Sequence, residues 1–203
     1  MKKVSVIITN YNYGRFLKEA IESALAQNYE NYEIIIVDDG STDNSRAILQ
    51  KYKKNTKIRM ILQENKGLPA ACNAGINSSN GQYIVRLDAD DKFLPIILKK
   101  ESEILNKNPD VGMVYCDHFR NDKLVNVPEF DTERLRKEHY IIPGGTMLRR
   151  SCIDSVGLFR DTFWEETDMW IRIAKHFKIF HLKEPLYFYR RHDKNMTQGI
   201  YPY

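Results

Sequence analysis

Apolar residues fall in short, nearly unbroken blocks through the first half of the chain. Residues 4–9, 34–37, 58–62 and 83–87 each read as a strand buried on both faces. Between the blocks the period lengthens. Within residues 16–25, Leu17, Ile21 and Leu25 recur at helical spacing, with Ala20 and Ala24 on the same side. The stretch STDNSRAILQKY, residues 41–52, opens with cap-type residues and runs into a helix, and GLPAACNAGINS, residues 67–78, reads as a helix whose small residues allow close packing. Such alternation predicts βαβ units and an α/β fold, with a mostly parallel sheet flanked by helices. Further on, the pattern predicts a helix over 94–105, a strand over 111–116, a glycine turn and strand in IIPGGTMLRR, a helix over 165–177 and a strand over 186–189. Residues 118–140 are polar and weakly periodic and read as a loop or mobile excursion. The second half therefore reads as a layer added to a nucleotide-type sheet, within a single domain spanning 1–203.

Composition narrows the class. With 203 residues, 42% of them hydrophobic, the chain can bury a sizeable core, and no apolar run approaches the roughly 20 residues of a membrane-spanning helix. The start, MKKVSVIITNYNYG, lacks a long apolar region and reads as a first strand, not a leader. Cys72, Cys116 and Cys152 are odd in number and share no metal-ligand spacing, so free thiols in a reducing cytoplasm are expected. The net charge of +4 comes from scattered cations, with no arm suited to nucleic acid. Peripheral contact with an anionic membrane face is the most that the charge supports.

The chemistry gathers where strands end. Three of the blocks run into polar groups, TNYNYG, VDDGSTD and RLDADD, and open parallel sheets bind ligands at their carboxyl ends. A single glycine, Gly14, follows the first strand, so neither a dinucleotide fingerprint nor a Walker loop is present. In extended backbone Asp88 and Asp90 face one side, a pair of hard ligands for Mg²⁺ or Mn²⁺, while Asp91 is placed to cap the next helix. Asp38 or Asp39 can accept a hydrogen bond from a nucleobase or ribose, and Tyr11 can stack on a base.

VSVIITNYNYGRFLKEAIESALAQNYENYEIIIVDDGSTDNS, then ENKGLPAACNAGI, then GQYIVRLDADD resemble the family-2 glycosyltransferases of the GT-A fold; PGGTMLRR, WEETDMWIRIA and YFYRRHDKN extend the resemblance more sparsely. It implies a Rossmann-like mixed sheet, a nucleotide-diphosphosugar donor, most often a UDP-sugar, and inversion at the anomeric carbon. By the same resemblance residues 1–117 form the donor half and 118–203 the acceptor side. Asp39 is similar to the base contact, Thr9 and Tyr11 to uridine-pocket positions, and Asp88 and Asp90 to the metal-binding D-x-D. Gly144 and Gly145 look like the loop beside the donor sugar, EETDMW like the motif carrying the base, and His192 like a histidine that reaches the metal and diphosphate. Cys72 stands where the family often has Arg, and Lys66 or Arg86 could take over that donor contact. The acceptor implied is a sugar, a lipid-linked sugar or a growing polysaccharide.

Helix periodicity chooses among the acids. Trp170, Ile173, Ala174 and Phe177 form an apolar stripe, and four residues before Trp170 stands Glu166, facing inward as a partly desolvated general base. Asp168 has the spacing of a surface ion pair with Arg172, and Glu165 is placed less clearly. Trp164 could stack on an acceptor sugar, and Arg190, Arg191 or His192 could close over the phosphates. Two other readings stand beside transfer. A sugar nucleotidyltransferase would want a basic, glycine-rich phosphate loop, which NYNYGR is not; a non-catalytic sugar-nucleotide-binding module would not need acids at 88, 90 and 166.

Overall fold

The computed structural model describes residues 1–193 and Asn195. The chain opens with β1 (Val4–Asn10), α1 (Gly14–Leu25), β2 (Tyr32–Asp39), α2 (Ser45–Gln50), β3 (Ile58–Gln63), α3 (Leu68–Asn77) and β4 (Tyr83–Asp88). β1 lies between β2 and β4, parallel to both, and β3 runs parallel to β2 at the sheet edge. Period-two alternation divides the core. Val4, Val6, Ile8, Ile34 and Ile36 meet Leu17, Ala20, Ile21 and Ala24 of α1 on one face. Ile7, Ile35 and Val37 meet Ala71, Cys72 and Ile76 of α3 on the other. Gly75 lets α3 come that close: a Cβ there would lie 2.4 Å from Ile7 Cγ2.

The remaining elements are β5 (Lys92–Phe93), α4 (Ile97–Lys107), β6 (Val111–Arg120), β7 (Lys123–Val125), α5 (Thr132–Glu138), β8 (Met147–Arg149), α6 (Arg150–Val156), α7 (Glu165–Ala174) and β9 (Lys178–Tyr189). The strands form one sheet in the order β3-β2-β1-β4-β8-β6-β9-β5, with β7 paired to β6. β8 is antiparallel to both β4 and β6, and β9 is parallel to β6, so the parallel first half passes into a mixed second half. No helix among the described residues is long and apolar enough to cross a membrane.

Several expectations change. Residues 118–140 are not a loop throughout. β6 continues to Arg120 and turns back into β7 through Asn121 (φ 51) and Asp122, a two-residue hairpin turn. α5 follows, its first turn capped by Asp131 Oδ1 accepting from Arg134 N at 2.6 Å. Both are polar because Leu135 is the buried residue of α5 and β7 is largely exposed. β9 begins eight residues before the predicted strand, since Lys178, His181, Lys183 and Glu184 break its apolar pattern. α7 ends at Ala174, short of Phe177, and α6 had no periodic signal.

Glu101 of α4 carries a further prediction. It is fully buried and neither carboxylate oxygen has a hydrogen-bond partner among the described residues. Burial pushes its carboxyl well above the usual range. Such an acid binds its proton more tightly folded than unfolded, so it weakens the fold as pH rises above the unfolded value, about 4.3. Glu101→Leu should stabilise the protein at neutral pH by on the order of 1–3 kcal/mol. In urea unfolding the gain should shrink as pH falls towards 4; destabilisation at pH 7 would contradict it.

Candidate active site

β1, β2 and β4 end level, with Asn10 opposite Asp38 and Thr9 opposite Asp88, so their loops converge. Asn10 Nδ2 donates to Asp38 Oδ1 (2.8 Å) and Ser41 Oγ (3.0 Å). Asn12, in the left-handed region at φ 59, accepts at Oδ1 from the N–H groups of Thr42 and Asp43. Asp39 accepts from the N–H groups of Lys66 and Gly67, both at 2.9 Å, and from Gln63 Nε2 at 2.7 Å. It therefore fixes the loop between β3 and α3, while the Lys66 side chain is exposed. Asp38 is fully buried, and its Oδ2 lies 3.7 Å from Arg46 Nε. That oxygen, Thr9 Oγ1 and Asn10 Oδ1 have no hydrogen-bond partner among the described residues. Buried polar atoms left open at strand ends are what a ligand would satisfy. At the same end an open groove of about 520 Å³ runs along Gly40, Arg46 and residues 62–65, and Tyr11 is exposed.

The acidic stretch is a turn, not the extended strand expected. β4 stops at Asp88, and Asp91 N donates to Asp88 O at 3.0 Å, closing a tight turn over residues 88–91 with Ala89 packed into the core. Asp91 does not cap a helix, because β5 intervenes and α4 starts after Ile96. It is buried instead, accepting from Tyr187 Oη (2.7 Å) and Arg190 N (2.8 Å). Asp90 Oδ2 meets His192 Nε2 at 2.9 Å and Asn195 Nδ2 at 3.3 Å. Burial, then the charge of Asp88, pushes the Asp90 carboxyl up; burial, then Asp90 and Asp88, raises Asp91 further. Arg190 donates from Nε to Asp90 O (2.8 Å) and from Nη2 to Glu19 (2.9 Å), its guanidinium lying over Phe16. Arg191 is half-buried, and its N–H donates to Asn121 Oδ1. Gly144 and Gly145 lie between Arg86 and Tyr187. Gly145 N donates to Arg86 O at 3.0 Å, and a Cβ on Gly144 would meet Tyr187 Oη at 2.0 Å.

The first turn of α7 brings in the second pair of acids. Glu165 and Glu166 are both buried. Glu165 Oε1 accepts from Arg86 Nη1 at 3.1 Å, and Arg86 Nε donates to Asp88 Oδ1 at 2.6 Å. Burial, and next the charge of Glu165, pushes Glu166 up to about 8. Cys72 lies beside these groups, fully enclosed, its thiol pushed up to about 12 chiefly by burial. Trp164 stacks on His139 (centroids 4.1 Å apart, 11° between planes), with the exposed Phe163 edge-on to it. His139 Nδ1 in turn meets Thr167 Oγ1 at 2.9 Å. The Asp168–Arg172 pair forms at 2.8 Å, but Arg172 is buried rather than on the surface. Its Nη atoms donate to the carbonyls of Val156, Gly157 and Leu158, closing the end of α6.

Among the described residues no three His, Cys, Asp or Glu side chains are arranged to hold a metal ion. Asp88 and Asp90 still offer two carboxylates in one turn, and His192 touches Asp90. That donor chemistry fits a hard divalent ion whose remaining ligands are phosphate and water. The structure thus sets His192 on Asp90, two residues from Asp88, and joins Asp88 through Arg86 to Glu165, the neighbour of Glu166. Asp91, Tyr187, Asn10 and Asn195 were not foreseen. Only the continuous DADD run hinted at Asp91, and the others gain their place through pairings distant in sequence.

Comparison with known proteins gives the family and the fold. The family model described as glycosyl transferase family 2 matches residues 5–157. An uncharacterised glycosyltransferase of Nostoc sp. is 35% identical over 95% of this chain, which spans 66% of that relative, just under two thirds of its length. TarS of S. aureus, solved with UDP-GlcNAc, superposes with a TM-score of 0.78 at 18% identity, covering 98% of this chain and 61% of TarS. The mannosyltransferase PcManGT of Pyrobaculum calidifontis, solved with GDP-Man and Mn²⁺, gives 0.77 at 17%, covering 95% and 58%. At those identities the likeness is one of fold, and both neighbours share the α/β plan described above.

Proposed function

This chain belongs to glycosyl transferase family 2, and we propose that it transfers a sugar from a nucleotide-diphosphosugar to an acceptor hydroxyl, with inversion at the anomeric carbon. The observation that carries the reading is the placement of a buried Glu166 at the start of α7, coupled through Glu165 and Arg86 to the carboxylate turn of β4. Asp38, Thr9 and Asn10 supply unpartnered polar atoms for the nucleoside, and Tyr11 offers an exposed ring for its base. A UDP-sugar is the donor favoured, supported by the TarS complex with UDP-GlcNAc. Asp88, Asp90 and His192 would hold Mn²⁺ or Mg²⁺, supported by the Mn²⁺ in PcManGT. That ion, when bound, supplies positive charge for the departing nucleoside diphosphate.

The chain's own groups do the rest. Glu166 accepts the proton of the acceptor hydroxyl as its oxygen attacks the anomeric carbon opposite the departing diphosphate. Gly144 and Gly145 let the donor sugar approach backbone, and Arg190 closes over the acidic turn. Residues 1–117 serve the donor. Residues 118–203 serve an acceptor sugar, lipid-linked sugar or polysaccharide, with Trp164 on its stacked His139 as the sugar-facing ring; Lys194 and residues 196–203 lie outside the described residues. Any membrane association at the cytoplasmic face would be peripheral.

A thermal-shift panel of UDP-, dTDP- and GDP-sugars, with and without Mn²⁺, tests the donor. Stabilisation should be largest for one UDP-sugar with the metal, and NMR of the product should show the opposite anomer. Release of pyrophosphate from a nucleoside triphosphate supplied with a sugar 1-phosphate would instead indicate nucleotidyl transfer, and nucleotide-sugar binding without turnover a binding module.

A further inference from the structure

Arg86 was expected to meet the donor, yet it is only 8% exposed and its fork is already engaged. Nε donates to Asp88 Oδ1 at 2.6 Å and Nη1 to Glu165 Oε1 at 3.1 Å, while its carbonyl accepts from Gly145 N at 3.0 Å. A planar guanidinium suits two carboxylates lying in different directions, and Lys does not reproduce that geometry. Behind it lies a small cavity of about 20 Å³ lined partly by Cys72, Thr146 and Trp170. The charged or titratable groups near Glu166 are Glu165 on its own helix, Arg86 of β4, and Cys72 of α3; Asp88 lies on the far side of Arg86, and His139 bonds to Thr167 one residue on. Cys72 is a neutral thiol at pH 7, and burial pulls His139 below its ordinary value, so among the described residues the cation beside the pair is Arg86.

We propose that Arg86 is a positioning residue. Its fork clamps Glu165 against Asp88, and through Glu165 it sets the orientation and proton occupancy of Glu166, instead of binding the donor. This rests on the assignment of Glu166 as the base. A neighbouring cation favours the ionised form of a carboxylate, so removing it makes the Glu165–Glu166 pair keep its proton to higher pH. Removing the charge of Glu165 has the opposite sign, because a like charge no longer opposes ionisation of Glu166.

Carboxyl ¹³C NMR of glutamate-labelled protein, assigned with Glu165→Gln and Glu166→Gln, reads the pair directly, and the pH profile of kcat reads its consequence. In Arg86→Gln the NMR midpoint should rise by about one pH unit, roughly tenfold less ionised pair below it. The acid limb of kcat should move with it, and the donor KM should change by less than about threefold, as expected when ground-state binding is untouched. Arg86→Lys should return the midpoint towards wild type while kcat stays low, because the charge returns without the fork. Glu165→Gln, which keeps Arg86, should lower the Glu166 midpoint. An unchanged midpoint in Arg86→Gln and Glu165→Gln, or a donor KM raised roughly tenfold with an unmoved profile, would overturn the proposal. A midpoint that moves while the rate profile does not would uphold the clamp and remove Glu166 as the base.

Discussion

Glu166→Gln should lower sugar transfer by about 10²- to 10⁴-fold, the range associated with a positioned general base, while UDP affinity should stay within about threefold. The amide keeps the size of the side chain at a buried position but cannot take the acceptor proton. The environment makes the assignment specific. Burial first and the Glu165 charge second push Glu166 up to about 8, so much of it is protonated at neutral pH. A base must be ionised to act, and the rate should therefore rise about tenfold per unit from pH 6 until it levels near pH 8. The measurement is initial velocity at saturating donor, with UDP binding followed separately by calorimetry. Retention of more than about a tenth of wild-type turnover, well outside that range, would move the base elsewhere, and Glu165→Gln would be compared next.

Asp90→Asn separates stability from activity. In the metal-free protein Asp88, Asp90 and Asp91 crowd one turn, and the Asp90 carboxyl is raised by burial and then by Asp88. A carboxyl raised on folding costs stability as pH climbs from its unfolded value, about 3.9, through its folded one. An amide of the same shape escapes that cost and can still accept from His192 and Asn195. Without ligand, Asp90→Asn should melt no lower than wild type at pH 8. With UDP and Mn²⁺ the order should reverse: the wild type should gain a metal-dependent shift that the variant lacks, and transfer should fall by at least about a hundredfold, the scale of losing one transition-state charge contact. Differential scanning fluorimetry with and without EDTA reads both. A variant that keeps the full Mn²⁺-dependent shift would remove Asp90 from the metal set.

The first half of the fold was legible because its signals are local. Apolar blocks, cap residues and small-residue helices each fall within about ten positions, and the structure returns β1 to β4 and α1 to α3 in place. The inward position of Glu166 was legible for the same reason: its distance from Trp170 is one helical turn, and both are buried. What escaped is set by partners far away in sequence. β9 reads as polar because several of its side chains find polar partners, His181 a hydrogen bond to Asp117 at 2.8 Å and Lys183 an ion pair with Glu129 at 2.7 Å. Arg172 has the spacing of a surface pair, and nothing local reveals that α6 ends against it. Arg86 reads as a donor contact in RLDADD, because Glu165 stands 79 positions later.

Those long separations also bear on how the molecule is made. Asp90 and Asp91 find Tyr187, Arg190, His192 and Asn195 between 96 and 105 positions downstream. On the ribosome, the Rossmann-like layer can assemble while its acidic turn still lacks every one of those partners, and contacts of such span form late. A nascent chain cut after β6 would display three mutually repelling carboxylates to solvent. Expressing residues 1–120 alone should therefore yield an insoluble or chaperone-bound product, not a miniature nucleotide binder.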